Sequence, residues 1–267
     1  MRTIFITFLI LVTLSRTASA HEYWIDPVAF LLEPGQSVKA DLRVGQDFKG
    51  SRLPFLSNQF QSFEITDASG TRPLPGTEGD RPAVNVAAPE GLVVLAYHSK
   101  SARLTFRDFD QFRGYVEYEG LGWAVQAHKD AGLPDGGFTE RYTRNAKSLL
   151  QVGDDVTGQD FATGLPFELV VIGSPYGTDN HAVTVELLWQ GQPVPDWRIN
   201  VFTRGGAPEA TLTHVTTGSN GRATIPFPDQ TDILLNAVWL QRPTDGSGYA
   251  WESWWASLTF GHHGRHD

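Results

Sequence analysis

Eight histidines and no cysteine define the chemistry open to this 267-residue chain. Without thiols there are no disulfides, thiolate nucleophiles, iron–sulfur clusters or cysteine-based zinc sites. Any metal must be held by nitrogen and oxygen ligands. Five histidines lie where such ligands could gather: His21, His98, His262, His263 and His266. The last three fall within Gly261-His262-His263-Gly264-Arg265-His266-Asp267, a short His-rich tract separated by glycines, which suits a borderline divalent metal. This tail follows the last apolar residue, Phe260, and is expected to be exposed. His98 closes the apolar run Leu92–Tyr97, at a strand end where loops meet. His128, His181 and His214 stand alone in polar surroundings and read as surface residues.

His21 owes its interest to what precedes it. Residues 1–20 begin with the basic Arg2, run apolar from Ile4 to Leu14, and end in Ala18-Ser19-Ala20. That is the plan of a secretory signal peptide, too short to cross a bilayer as a helix, which takes about 20 residues. Cleavage after Ala20 would leave His21 first, with a free amine (pKa about 7.7–8.0) beside its imidazole. Such a pair chelates Cu(II), Ni(II) or Zn(II). The same cut removes Arg2 and Arg16 and moves the net charge from −9 to −11. An acidic chain is a poor partner for nucleic acid. Nothing later looks transmembrane, so no membrane insertion is expected after cleavage.

The elements that must position these residues read as strands. Charged residues are only 19% of the chain, against 27 glycines and 16 prolines, a turn-rich composition. Val38, Ala40, Leu42 and Val44 alternate with polar residues. One helix is expected from Asp108 to Glu119, with Phe109, Phe112 and Val116 on one face, Asp108 as cap and Gly120 as stop. Glu140–Val152 fits a helix or an edge strand. Residues 153–166 are polar and aperiodic, a linker. Beyond them come about six short strands, with Asn220-Gly221 marking a hairpin between Leu212–Thr217 and Arg222–Phe227. The paired carboxylates Asp108/Asp110 and Asp154/Asp155 read as a helix start and a linker, and nothing marks a nucleophile. The expected organisation is a signal peptide (1–20), a first β-sandwich (21–155), a linker (156–166), a second β-sandwich (167–260) and a His-rich tail (261–267).

An ordered series of motifs resembles a family of exported bacterial proteins of unknown function, often labelled periplasmic components of cobalt or nickel uptake systems. It runs from His21-Glu22-Tyr23-Trp24-Ile25-Asp26-Pro27 through Phe112-Arg113-Gly114-Tyr115, Glu119-Gly120-Leu121 and Glu140-Arg141-Tyr142-Thr143-Arg144 with Ala146-Lys147. It continues through Leu165-Pro166-Phe167-Glu168-Leu169 and Asn220-Gly221-Arg222-Ala223 to Trp254-Trp255-Ala256-Ser257-Leu258-Thr259-Phe260. The resemblance implies two immunoglobulin-like or transthyretin-like β domains and a periplasmic location. It implies a link to a membrane metal-uptake system. One departure stands out: where such proteins often carry a His after Ala-Val, Ala237-Val238 is followed by Trp239.

Together these features point to an all-β, non-enzymatic accessory protein that binds or delivers a divalent transition metal (Ni, Co, Cu or Zn). The alternatives are a metal-independent carbohydrate- or protein-binding module, using the aromatic cluster Trp239, Tyr249, Trp251, Trp254 and Trp255, and a copper-site enzyme built on His21.

Overall fold

The computed structural model describes residues 21–177, 181–205, 207 and 209–264. The expected signal peptide and His266 lie outside them. Strands dominate, arranged as three stacked sheets. The alternation centred on Val38–Val44 forms β3 (Ser37–Gln46), which pairs with β1 (Glu22–Pro27), β4 (Lys49–Leu53) and β7 (Val84–Ala87) in an antiparallel first sheet.

A ten-stranded sheet forms the middle layer. Its order is β15 (Thr211–Thr216), β14 (Arg198–Arg204), β17 (Asp232–Gln241), β18 (Trp251–Gly261), β10 (Phe138–Val152), β8 (Gly91–Ser99), β5 (Phe60–Asp67) and β6 (Gly70–Pro73). The short β2 (Leu31–Leu32) and β9 (Ala102–Phe106) also pair with β10. The third sheet holds β11 (Phe167–Val171), β12 (Ala182–Trp189), β13 (Gln192–Pro193) and β16 (Arg222–Pro226).

The middle strands are apolar almost throughout because both of their faces are covered. In β8, Val93, Leu95 and Tyr97 join Tyr23, Ile25 and Leu42 of the first sheet. Leu92 and Val94 turn the other way, towards Leu169, Val185 and Ile225 of the third. The two halves of the chain share this sheet. β10 and β18 run parallel, in register from Glu140↔Trp251 to Ser148↔Thr259. Segment 156–166 contains no helix or strand.

Helix α1 (Phe109–Tyr118) lies where the sequence placed it. Asp108 Oδ1 accepts from Gln111 N at 2.8 Å. Gly120 follows at φ +77°, and a side chain there would run into Arg198. Replacing Asp108 with Ala removes the cap and should cost about 1 kcal/mol, lowering the thermal midpoint by roughly 2–4 °C. Helix α2 (Trp123–Asp130) was not expected from the sequence. Both helices pack on Trp251, Trp255, Val238 and Phe138 of the middle sheet.

Three local expectations need correction. Glu140–Val152 lies in the 15-residue strand β10 (Phe138–Val152), inside the sheet rather than at an edge. The turn at Asn220-Gly221 joins no hairpin, since β15 pairs with β14 in the middle layer and β16 with β12 in the outer one. His128 is no surface residue: it is fully buried, with Trp251 Nε1 donating to Nδ1 at 3.1 Å and Nε2 at 3.0 Å from Pro134 O.

Candidate functional site

β1 is the edge of its sheet, and its outward carbonyls need partners. Ser257 and Thr259 of β18 supply them, donating to Tyr23 O (2.7 Å) and Ile25 O (2.8 Å). This clamps β1 against the middle sheet with all six of its residues buried. Alternation then sends Tyr23 and Ile25 into one core, and Trp24 towards Phe48, Phe202 and Leu234 in another. The two-residue turn between β3 and β4 has positive φ at both Asp47 and Phe48, an uncommon conformation for such side chains. Phe48 holds it by packing edge-on to Trp24 and lying under the Arg204 guanidinium. The turn thereby brings Asp47 to Tyr118.

Charges along most of this interface alternate. Arg52, Asp41, Arg43, Asp26, Arg204, Asp232 and His263 form a chain of ion pairs from the first sheet to the C-terminal segment, with N···O distances of 2.6–3.2 Å. His263 ends it. Its Nδ1 lies 2.6 Å from Asp232 and its Nε2 2.9 Å from Val28 O, so both nitrogens donate. Burial opposes the charge on His263, but the hydrogen bond and attraction of Asp232 outweigh it and raise the pKa. Burial likewise acts against ionised Asp232, yet His263 and Arg204 hold its pKa below the ordinary value. The pair stabilises between the unfolded pKa values of about 4 and 6.5, and the contribution fades as pH rises through the elevated His263 value. His263→Ala should therefore cost about 1 kcal/mol at pH 6, a figure kept low because the ring is 37% exposed, and less at pH 9 by chemical denaturation.

A second network, under the start of β1, is unbalanced. Glu22, Glu119 and Glu140 are 1%, 4% and 1% exposed. Glu119 ends α1; its Oε2 accepts from Asn200 Nδ2 and Asn236 Nδ2, each at 3.0 Å. Its Oε1 has no partner, and neither does Asn236 Oδ1. Tyr118 OH reaches Glu22 Oε1 (3.3 Å) and Asp47 Oδ1 (3.2 Å), but its single proton serves one at a time. Glu22 Oε2 is unpartnered. Ser253 Oγ bonds Glu140, while Glu140 Oε2 is left over and Tyr115 OH stands beside it without closing a well-formed bond.

The cations near these carboxylates are Arg144 and Arg198. Three buried carboxylates and Asp47 at the rim face two guanidiniums, an excess of two negative charges when all are ionised. Their pKa values answer to this. Burial pushes Glu22 up to about 7, with Asp47 adding to the rise against hydrogen bonds and Arg144. Burial pushes Glu140 up to about 7 against Ser253, Tyr115 and Arg144. Burial and then the charge of Glu22 raise Glu119 well above the carboxylate range. Two protons or one divalent cation would settle the excess.

The five histidines singled out from the sequence do not share a site. His21, half-buried, sits at the edge of the carboxylate network; its carbonyl accepts from Arg144 at 3.2 Å and its Nδ1 has no partner. His263 touches Val28, seven residues of extended chain away, roughly 23 Å. Both of its nitrogens are already engaged, so it offers a metal no lone pair. His262 is not exposed tail either: it stacks on Phe227 at 4.1 Å. His98 Nε2 lies 3.3 Å from Gln61 Nε2, on the face of β8 opposite Val93, Leu95 and Tyr97. Among the described residues, no three His, Asp or Glu side chains stand together in a metal-holding arrangement.

Sequence reasoning passed over Glu22, Glu119, Glu140 and Arg144 as site residues. A signal was present in the middle strands: Asn200 in Ile199-Asn200-Val201 and Asn236 in Leu235-Asn236-Ala237 are amides in apolar runs, which must find polar partners when buried.

This fold is a three-layered, mostly β structure with a polar, carboxylate-rich seam between its layers. The model of the domain of unknown function DUF4198 matches residues 18–241, and the chain belongs to that family. No curated protein matches the chain. Among solved structures, the D0-D1 domain of intimin aligns over 90% of this chain and 97% of its own, at 12% identity and a TM-score of 0.21. A tetra-tandem repeat from the extending region of a large adhesion protein aligns over 90% and 49%, at 13% and 0.19. A Parabacteroides merdae β-glucuronidase aligns over 90% and 24%, at 10% and 0.20. At such scores these likenesses say nothing further about the chain.

Proposed function

We propose that the chain is an exported, non-enzymatic accessory protein that binds a divalent cation in the buried seam around Glu22 and Glu119, whose charges act on one another. One observation carries this reading: a buried seam where Glu22 Oε2, Glu119 Oε1, Glu140 Oε2 and Asn236 Oδ1 all lack partners. Unpaired acceptors of this kind are costly unless a proton or cation satisfies them. Carboxylate and amide oxygens suit hard cations. A nickel- or cobalt-class ion would draw in addition on the unpartnered His21 Nδ1, and on the free amine if export removes residues 1–20. The resemblance to proteins labelled as nickel or cobalt uptake components supports the second choice. The glycan- or protein-binding alternative is weakened by the aromatic cluster itself. Trp239 is stacked between Trp189 (4.9 Å) and Trp197 (4.8 Å), and Trp255 is buried on Tyr115, so these rings cover one another.

Calorimetric titration of EDTA-stripped protein with Ca(II), Mn(II), Co(II) and Ni(II) tests the proposal. Binding should weaken at least tenfold in Glu119→Gln and survive deletion of residues 261–267. Binding that vanishes with the tail and ignores Glu119→Gln would overturn it.

A further inference from the structure

A separate cavity of about 190 Å³ opens on the other side of Arg144, between the first and middle sheets. Its walls are aromatic and apolar: Tyr23, Phe60, Tyr97 and Tyr142, with Leu42 and Leu53. The rings brace one another, Tyr23 on Tyr97 at 5.0 Å and Phe60 edge-on to Tyr97 at 5.7 Å. Arg144 is held over two of them, its guanidinium 5.3 Å from the Tyr23 ring and 5.0 Å from Tyr142. Its one hydrogen-bond acceptor is a neutral carbonyl, His21 O at 3.2 Å. The buried Nε has no partner, and among the described residues no carboxylate comes within 4.0 Å of this guanidinium. Lys100 and Ser99 stand at the same wall.

A guanidinium fixed in place between rings, with no carboxylate in hydrogen-bond contact, can take a planar anion. The volume sets the size of its body. A dry cavity of about 150 Å³ admits a benzene ring, so this one holds a single ring with a carboxylate attached. The apolar lining selects against small hydrophilic anions. We propose that this cavity binds a small monocarboxylate bearing one aromatic ring, its carboxylate on Arg144 and its ring among Tyr23, Phe60, Tyr97 and Tyr142. No carboxylate of the seam lines this cavity, and the two sites share Arg144.

The test is calorimetric titration of the purified protein with phenylacetate, phenylacetamide and acetate, in EDTA so that cation binding plays no part. Phenylacetate should bind saturably, and the amide and acetate at least tenfold more weakly. Arg144→Gln should lose at least tenfold in affinity for phenylacetate. Because Arg144 also braces the layers, Leu53→Trp provides a second variant, filling the cavity from a part-exposed wall position; it should block phenylacetate with the thermal midpoint held. Absent phenylacetate binding, equal binding of acid and amide, or unchanged binding in Leu53→Trp would each overturn the proposal.

Discussion

Stripped of divalent cations, the protein should lose stability as the pH rises from about 4.5 to about 7, and Glu140→Gln should remove part of that loss. The sign follows from linkage. Glu22 and Glu140 titrate near 7 when folded, against 4.5 for a free glutamate. Between those values the folded state holds more protons than the unfolded one, so raising the pH favours unfolding. A rise of that size corresponds to about 3 kcal/mol per fully buried carboxyl once both states are ionised. Gln keeps the shape and can still accept from Ser253 at position 140, or from Asn200 and Asn236 at position 119. Glu140→Gln and Glu119→Gln should therefore match the parent near pH 4 and exceed it at pH 8, by up to about 3 kcal/mol at position 140. Saturating cation should close that gap, since a ligand at 100 times its Kd stabilises by about 2.7 kcal/mol. His21, His98 and His262 have pKa values lowered, chiefly by burial, and destabilise in the opposite direction, as pH falls below 6.5. Subtracting the parent profile from the variant's cancels them. Denaturant midpoints from pH 4 to 9 supply both profiles, and Gln variants less stable than the parent at pH 8 would contradict the account.

Lys147→Met should cost about 3–5 kcal/mol at pH 7, the usual effect of breaking a buried ion pair from one side. The Lys147 side chain is 1% exposed, with Nζ 2.8 Å from Asp160 Oδ1, 2.9 Å from Phe161 O and 3.8 Å from Glu168 Oε2. Asp160 also accepts from Phe161 N and Val171 N, and Glu168 from Thr163 N, Thr163 Oγ and Gly164 N. The two carboxylates thus organise the strandless stretch before β11, and one ammonium from β10 pairs with Asp160 and lies near Glu168. Met fills most of the space but strands both charges. Lys147→Met combined with Asp160→Asn should recover more than half of the deficit. Urea titrations of the three proteins decide this. A single-variant deficit below about 1 kcal/mol would show that the pair carries no such load.

These two features differ in how far the sequence announces them. Alternation at Val38–Val44 and the run Leu92–Tyr97 become β3 and β8 because burial of one face or of two writes itself into residue order. Asp108 and Gly120 bound α1 because caps are local chemistry. α2 escaped because Gly122 at its N-cap makes no side-chain hydrogen bond and its inward positions, Ala124 and His128, present one small residue and one polar one. Asn220-Gly221 does make the turn, with Gly221 at φ +74°. A turn does not say which layer each flanking strand joins, and only the exposure of β15 against the half-buried alternation of β16 distinguishes them.

The carboxylate seam was least legible. Glu22 follows His21 directly, and a single charge at a strand start reads as solvated in the sequence. Its burial depends on β1 being clamped by Ser257 and Thr259, more than 230 positions along the chain. The histidines at the two ends of the chain suggested a shared site, and β1 holds those ends apart.

The proposed cation site would exchange protons for a cation, and calorimetry reads that exchange directly. Mn(II) and Ni(II) titrations at pH 7, in two buffers of different ionisation enthalpy, give the number of protons released per ion bound. The account predicts about one to two from the parent, and fewer from Glu119→Gln wherever that variant still binds. Tight binding with no proton release, or no binding by the parent at all, would contradict it.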